Sequence, residues 1–72
     1  MENIKLIVLG QKIKYRRQEL KLSQESLAEK SEFDRTYISL LERGKRNPSY
    51  LNLLKLSKGL EMSLSELLQE EK

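Results

Sequence analysis

The chain contains no cysteine and no histidine. Disulfides and thiolate metal sites are therefore excluded. So are the commonest metal ligand and the commonest general base, and most catalytic constellations go with them. Glycine occurs only at Gly10, Gly44 and Gly59, and proline only at Pro48, so no stretch reads as a linker or a low-complexity tract. There is no tryptophan and aromatic residues make up 6% of the chain. The apolar run IKLIVLG is far too short to cross a membrane, and basic residues follow it. An enzyme, a bound cofactor, a small-molecule ligand and a membrane partner are all unsupported, and a cytoplasmic location is the default.

What remains is one small domain of 72 residues, close to the lower limit for a self-sufficient core. Such a domain needs close helix packing or a second copy of itself. Its net charge is +3, from 14 basic and 11 acidic residues. The charge is uneven. Residues 61–72 hold Glu61, Glu66, Glu70 and Glu71 against Lys72 alone, so residues 1–60 carry the basic excess. A basic body with an acidic end suggests a polyanionic partner on one face.

Apolar residues recur at three- and four-residue spacing, which predicts an all-α domain. Helix 1 is expected from about Leu6 to Lys21, with Leu6, Leu9, Ile13 and Leu20 inward and Arg17 in line with them. Ser23 caps helix 2, Gln24 to about Lys30, with Leu27 and Ala28 inward. Ser31-Glu32-Phe33 reads as a turn, and Asp34 caps helix 3, which runs to about Arg43 and stops at Gly44. Ser49 caps helix 4, to about Lys58, with Leu53, Leu56 and Leu60 as its stripe. Ser63-Leu64-Ser65-Glu66 is a capping box opening helix 5, where Leu64, Leu67 and Leu68 are apolar. Five short helices with brief turns make a compact bundle.

Two short helices joined by a tight turn, about residues 23–43, form a helix-turn-helix pattern. Leu27, Ala28, Ile38 and Leu41 fall where the two must touch, which turns Arg35, Thr36 and Tyr37 outward. Arginine at a helix N-terminus is electrostatically unfavourable, so Arg35 calls for a function. A basic segment, Arg43, Lys45, Arg46 and Asn47, follows directly.

SQESLAEKS followed by DRTYISLLERGKRNPS resembles the Cro/C1-type (XRE-like) helix-turn-helix family, and the likeness extends from Leu9 to Leu68. DRTYIS with ERGKRN, in so short a chain, is especially similar to the controller proteins of restriction–modification systems. The resemblance implies a compact five-helix, lambda-repressor-like DNA-binding domain spanning residues 1–72. It further implies a homodimeric transcription regulator that binds double-stranded DNA in the major groove, on paired operator sites near its own promoter. Helix 3 becomes the recognition helix, with Arg35, Thr36, Ser39 and Leu40 facing base edges. The chemistry agrees, because an arginine fork matches guanine O6 and N7, and a threonine methyl or leucine can meet a thymine methyl. Leu40 can equally be extra core. Gln24, Tyr37, Arg43, Lys45, Arg46 and Asn47 are expected on the DNA backbone, where contacts set affinity and register rather than sequence. Tyr37 has the alternative of a half-buried packing role. Arg17 and Glu42 match a family ion pair that positions the recognition helix.

Three residues depart from the family pattern: Arg16 where an aliphatic residue is usual, Leu40 where a polar one is, and Gly59 in place of alanine. Tyr50, Leu51, Leu54, Met62, Leu64 and Leu68 exceed what one face each of helices 4 and 5 needs. Residues 50–72 are therefore the expected dimerisation region. The competing reading is an antitoxin-like helix-turn-helix protein that acts mainly through a protein partner.

Overall fold

The computed structural model describes residues 3–69, so Glu70, Glu71 and Lys72 of the expected acidic end, and the last part of the expected dimerisation region, lie outside the described residues. Its elements are α1 (Ile4–Glu19), α2 (Gln24–Ser31), α3 (Arg35–Glu42), α4 (Tyr50–Gly59) and α5 (Leu64–Leu68). The all-α, five-helix architecture is as expected.

Every helix opens on a side chain that accepts a backbone N–H of the first turn. Ser23, Asp34, Ser49 and Ser63 do so as expected, and Ser63 and Glu66 complete the reciprocal capping box. Only the cap of α1 was not expected from the sequence. Asn3 caps it, accepting from the amides of Lys5 and Leu6, so the helix begins and ends two residues earlier than the apolar stripe suggested.

The helix ends share one device. After α1, α2, α3 and α4 a single residue enters the left-handed region: Lys21 (φ 58°), Glu32 (φ 63°), Gly44 (φ 73°) and Glu61 (φ 54°). The next amide then bonds back five residues, Leu22 to the Arg17 carbonyl, Phe33 to Ala28, Lys45 to Leu40 and Met62 to Ser57. This closes the last turn with the carbonyls that a helix end leaves unpaired. Leu22, Phe33 and Met62 also pack against the core, which holds the three non-glycine turns in place. The helix-turn-helix corner therefore differs slightly from expectation. Ser31 ends α2, and the link to α3 is Glu32-Phe33-Asp34.

Ile13, Leu27, Ala28, Ile38, Leu41, Leu56, Leu60 and Leu67 form one buried cluster to which all five helices contribute. Leu6, Leu9 and Leu20, expected inward on α1, are half-buried. Two polar devices tie the helices together. Arg16 donates to the carbonyls of Leu60 (2.9 Å) and Glu61 (3.1 Å), so α1 caps the C-terminus of α4. That explains a cation where an aliphatic residue was expected. Lys30 on α2 pairs with Glu61 at 2.7 Å and, with the hydrogen bond it supplies, holds the Glu61 carboxyl below its ordinary pKa.

Candidate nucleic-acid interface

Helix α3 is held from behind. Ile38 and Leu41 are fully or almost fully buried against α1 and α2, so the opposite side of the helix faces solvent. On that side Arg35 and Thr36, in the first turn, are exposed, and Ser39 and Leu40 are half-buried. Asp34 accepts the Tyr37 amide at 2.7 Å and fixes the start of the helix. Among the described residues no acid pairs with Arg35. A guanidinium at the positive end of a helix dipole, exposed and without a carboxylate, is placed to meet an external acceptor.

The C-terminal end of α3 is locked by ions. Glu42 is buried and accepts from Arg17 Nε at 2.6 Å, Arg17 Nη2 at 3.0 Å and Gln24 Nε2 at 3.0 Å. Arg17 also donates to the Leu22 carbonyl at 2.8 Å. One network thus joins α1, the turn before α2, the N-terminus of α2 and the end of α3. The expected Arg17–Glu42 pair is present, bidentate and shielded. Gln24, expected at a phosphate, commits one amide hydrogen inward to Glu42 and keeps the other.

Gly44 then turns the chain. A Cβ there would lie 2.8 Å from the Ile7 side chain and 2.9 Å from the Ile7 Cα. Only glycine combines this φ with so close an approach to α1. The loop that leaves it carries Arg43, Lys45, Arg46 and Asn47, all exposed, and ends at buried Pro48. Arg43 Nε donates to the Ser39 carbonyl at 3.3 Å. A basic loop anchored at both ends therefore borders the exposed side of α3. Such an arrangement suits a polyanion: fixed cations for phosphates, with Arg35, Thr36, Ser39 and Leu40 beside them.

Tyr37 takes the half-buried alternative for its ring, which packs on Phe33 with centroids 4.7 Å apart. Its hydroxyl accepts from Asn52 Nδ2 of α4 at 2.9 Å. In the sequence Asn52 carries no marked role, and Arg16 stands out only as a departure from the family pattern. A polar residue recurring within a leucine-rich helix was the available signal for Asn52.

The residues expected at a dimer interface divide. Tyr50 (65% exposed), Leu51 (67%) and Leu54 (38%) lie open on α4. Met62 and Leu64 are half-buried against the core. Leu68 lines a shallow apolar groove between α1 and α5 with Ile4, Val8 and Tyr15. No cluster of metal-binding side chains occurs among the described residues, and no described helix is long and apolar enough to cross a membrane.

The arrangement is that of a helix-turn-helix domain, and residues 13–67 match the helix-turn-helix family model. The chain belongs to that family and has the fold of DNA-binding transcription regulators. Its solved structural neighbours include the restriction-modification controller protein C.AhdI from Aeromonas hydrophila, 42% identical, with a TM-score of 0.88 over 90% of this chain and 98% of that one. The wild-type controller protein C.Esp1396I is 43% identical, with a TM-score of 0.84 over 93% of this chain and 91% of that one. The P22 c2 repressor, solved with a synthetic operator, is 36% identical, with a TM-score of 0.80 over 88% of this chain and 96% of that one. No curated protein sequence matches the chain.

Proposed function

We propose that this protein is a sequence-specific transcription regulator of the controller type, binding as a homodimer to a pseudo-palindromic operator at its own promoter. The observation that carries the reading is the exposed tip of α3, Arg35 and Thr36, where no acid among the described residues pairs with Arg35, beside the anchored basic loop Arg43–Asn47. Arg35, Thr36, Ser39 and Leu40 read base edges. Gln24, through its second amide hydrogen, and Tyr37, Arg43, Lys45, Arg46 and Asn47 hold the DNA backbone. Tyr50, Leu51 and Leu54 supply the self-complementary patch on α4, and Leu68 contributes to the dimer interface from α5. A two-fold dimer then sets two recognition helices about 34 Å apart, one turn of DNA. The likeness to controller proteins along nearly their full length supports this role. The protein acts in the cytoplasm and is not an enzyme.

Two substitutions separate reading from holding. Arg35→Ala costs about 1–3 kcal/mol of operator binding and relaxes preference at one base pair per half-site. Arg46→Ala weakens binding to all duplexes alike and lowers the salt slope by roughly one unit. Fluorescence anisotropy on an operator and its single-base variants distinguishes them. An unchanged base profile for Arg35→Ala, or an unchanged slope for Arg46→Ala, removes that residue from its role. The groove formed by Ile4, Val8, Tyr15 and Leu68 favours a second, antitoxin-like reading. Co-purification of a protein partner, together with weak DNA binding, would support it.

A further inference from the structure

Helix α4 carries the exposed apolar patch on one side and reaches the recognition helix on the other. Two of its residues, one turn apart, bracket the aromatic pair of α3 and its preceding turn. Asn52 Nδ2 donates to the Tyr37 hydroxyl at 2.9 Å, and Lys55 Nζ stands 5.6 Å from the centre of the Phe33 ring. Asn52 is itself fixed, since its backbone amide donates to the Ser49 cap at 3.2 Å. The bond has a direction. The Tyr37 oxygen accepts from Asn52, and among the described residues nothing accepts the hydroxyl hydrogen. A phenolic hydroxyl both donates and accepts. With its acceptor side occupied from α4, Tyr37 is left as an oriented donor, one residue beyond Thr36. It stands where α3 meets the helix that follows the basic loop.

We propose that Asn52 is a positioning residue for DNA recognition. It holds the Tyr37 hydroxyl as a neutral donor to a backbone phosphate and so couples the dimerisation helix to the recognition helix. Resting on the DNA-binding reading above, the inference makes Asn52 act only through Tyr37. A neutral donor adds affinity without releasing a counterion, whereas a lysine or arginine contact adds to the salt dependence.

The test is a double-mutant cycle of Asn52→Ala and Tyr37→Phe. Binding is measured by anisotropy at several salt concentrations, on the operator duplex recovered by selection from random DNA. Asn52→Ala weakens binding about five- to tenfold, the effect of one lost hydrogen bond. Its salt slope stays at the wild-type value. In the Tyr37→Phe background the same substitution has no further effect. An equal loss in both backgrounds, no loss in the wild-type background, or a changed slope would overturn the proposal. A changed slope would mean that the basic loop had moved. If Asn52→Ala fails to fold, the nearly isosteric Asn52→Asp replaces it. Its carboxylate draws the Tyr37 hydrogen inward, so its penalty must be larger with Tyr37 than with the Tyr37→Phe change. Equal penalties overturn the proposal. A wild-type protein that binds no duplex would instead count against the DNA-binding reading itself.

Discussion

Replacing Arg17 by methionine tests how α3 is held in place. The substitution keeps the length of the aliphatic stem and removes the guanidinium. Glu42, with its side chain 3% exposed, would lose the bonds at 2.6 and 3.0 Å and keep only Gln24. The Leu22 carbonyl would lose its donor as well. Stranding a buried carboxylate in this way costs roughly 3–5 kcal/mol. A domain of this size loses about 4–8 °C of melting temperature per kcal/mol, so the drop is roughly 12–40 °C. Replacing both partners, Arg17→Met with Glu42→Leu, removes the buried charge together with its partner. Apolar replacement of a buried pair is often close to neutral, so the double variant returns to within about 2 kcal/mol of wild type. Urea unfolding followed by circular dichroism measures all four proteins. Two results would show that Arg17 does not shield a buried Glu42 charge. One is a loss below about 1 kcal/mol for Arg17→Met, as at an exposed pair. The other is a double variant as unstable as the sum of the singles.

Gly59 offers a second test, because alanine there gains about 1 kcal/mol of helix propensity in isolation. Its Cβ, however, would stand 2.2 Å from Ser31 Oγ and 3.3 Å from Ser31 Cβ, where α4 crosses α2. Overpacking of about 1–3 kcal/mol outweighs the gain, so Gly59→Ala is expected to lower the urea midpoint. Among the described residues the buried Ser31 Oγ has no hydrogen-bond partner, so Ser31→Ala removes both the nearer obstruction and an unsatisfied hydroxyl. The double variant should then be at least as stable as wild type, and a stabilising Gly59→Ala alone would contradict this. A third prediction concerns pH. The Ser63 backbone N–H and then its side chain hold the Glu66 carboxyl below its usual value of 4.5. A depressed folded pKa gives stability that is present above the unfolded pKa and lost as pH falls through the folded one. Unfolding midpoints of wild type and Glu66→Gln should therefore converge as pH falls below about 4.5. A gap that persists at the acid end would remove the capping box as its cause.

The parts of the fold that follow from local chemistry were legible in the sequence. Ser23, Asp34, Ser49 and Ser63 announce four helix starts, because a capping side chain acts within its own first turn. Helix ends were harder to read. Gly44 marks one plainly, but Lys21, Glu32 and Glu61 fill the same left-handed position at three others. What secures those ends is the packing of Leu22, Phe33 and Met62, which is tertiary and has no local signature. The same division holds at the site. Arg35 and the basic loop stand out by charge, and Arg17–Glu42 by resemblance. The Asn52–Tyr37 and Arg16–Leu60 bonds link residues distant in sequence, and only the fold brings them together. Met62 and Leu64 looked surplus in the sequence, and in the fold each is half-buried against the core while keeping part of its surface open.

In the proposed function the exposed side of α3 reads a DNA sequence twice over, once from each half of a dimer. In vitro selection from random duplex DNA, with the pure protein at physiological salt, tests it most directly. Enrichment of a pseudo-palindrome whose half-site centres lie about one helical turn apart is expected. Folded protein that enriches no sequence would contradict it.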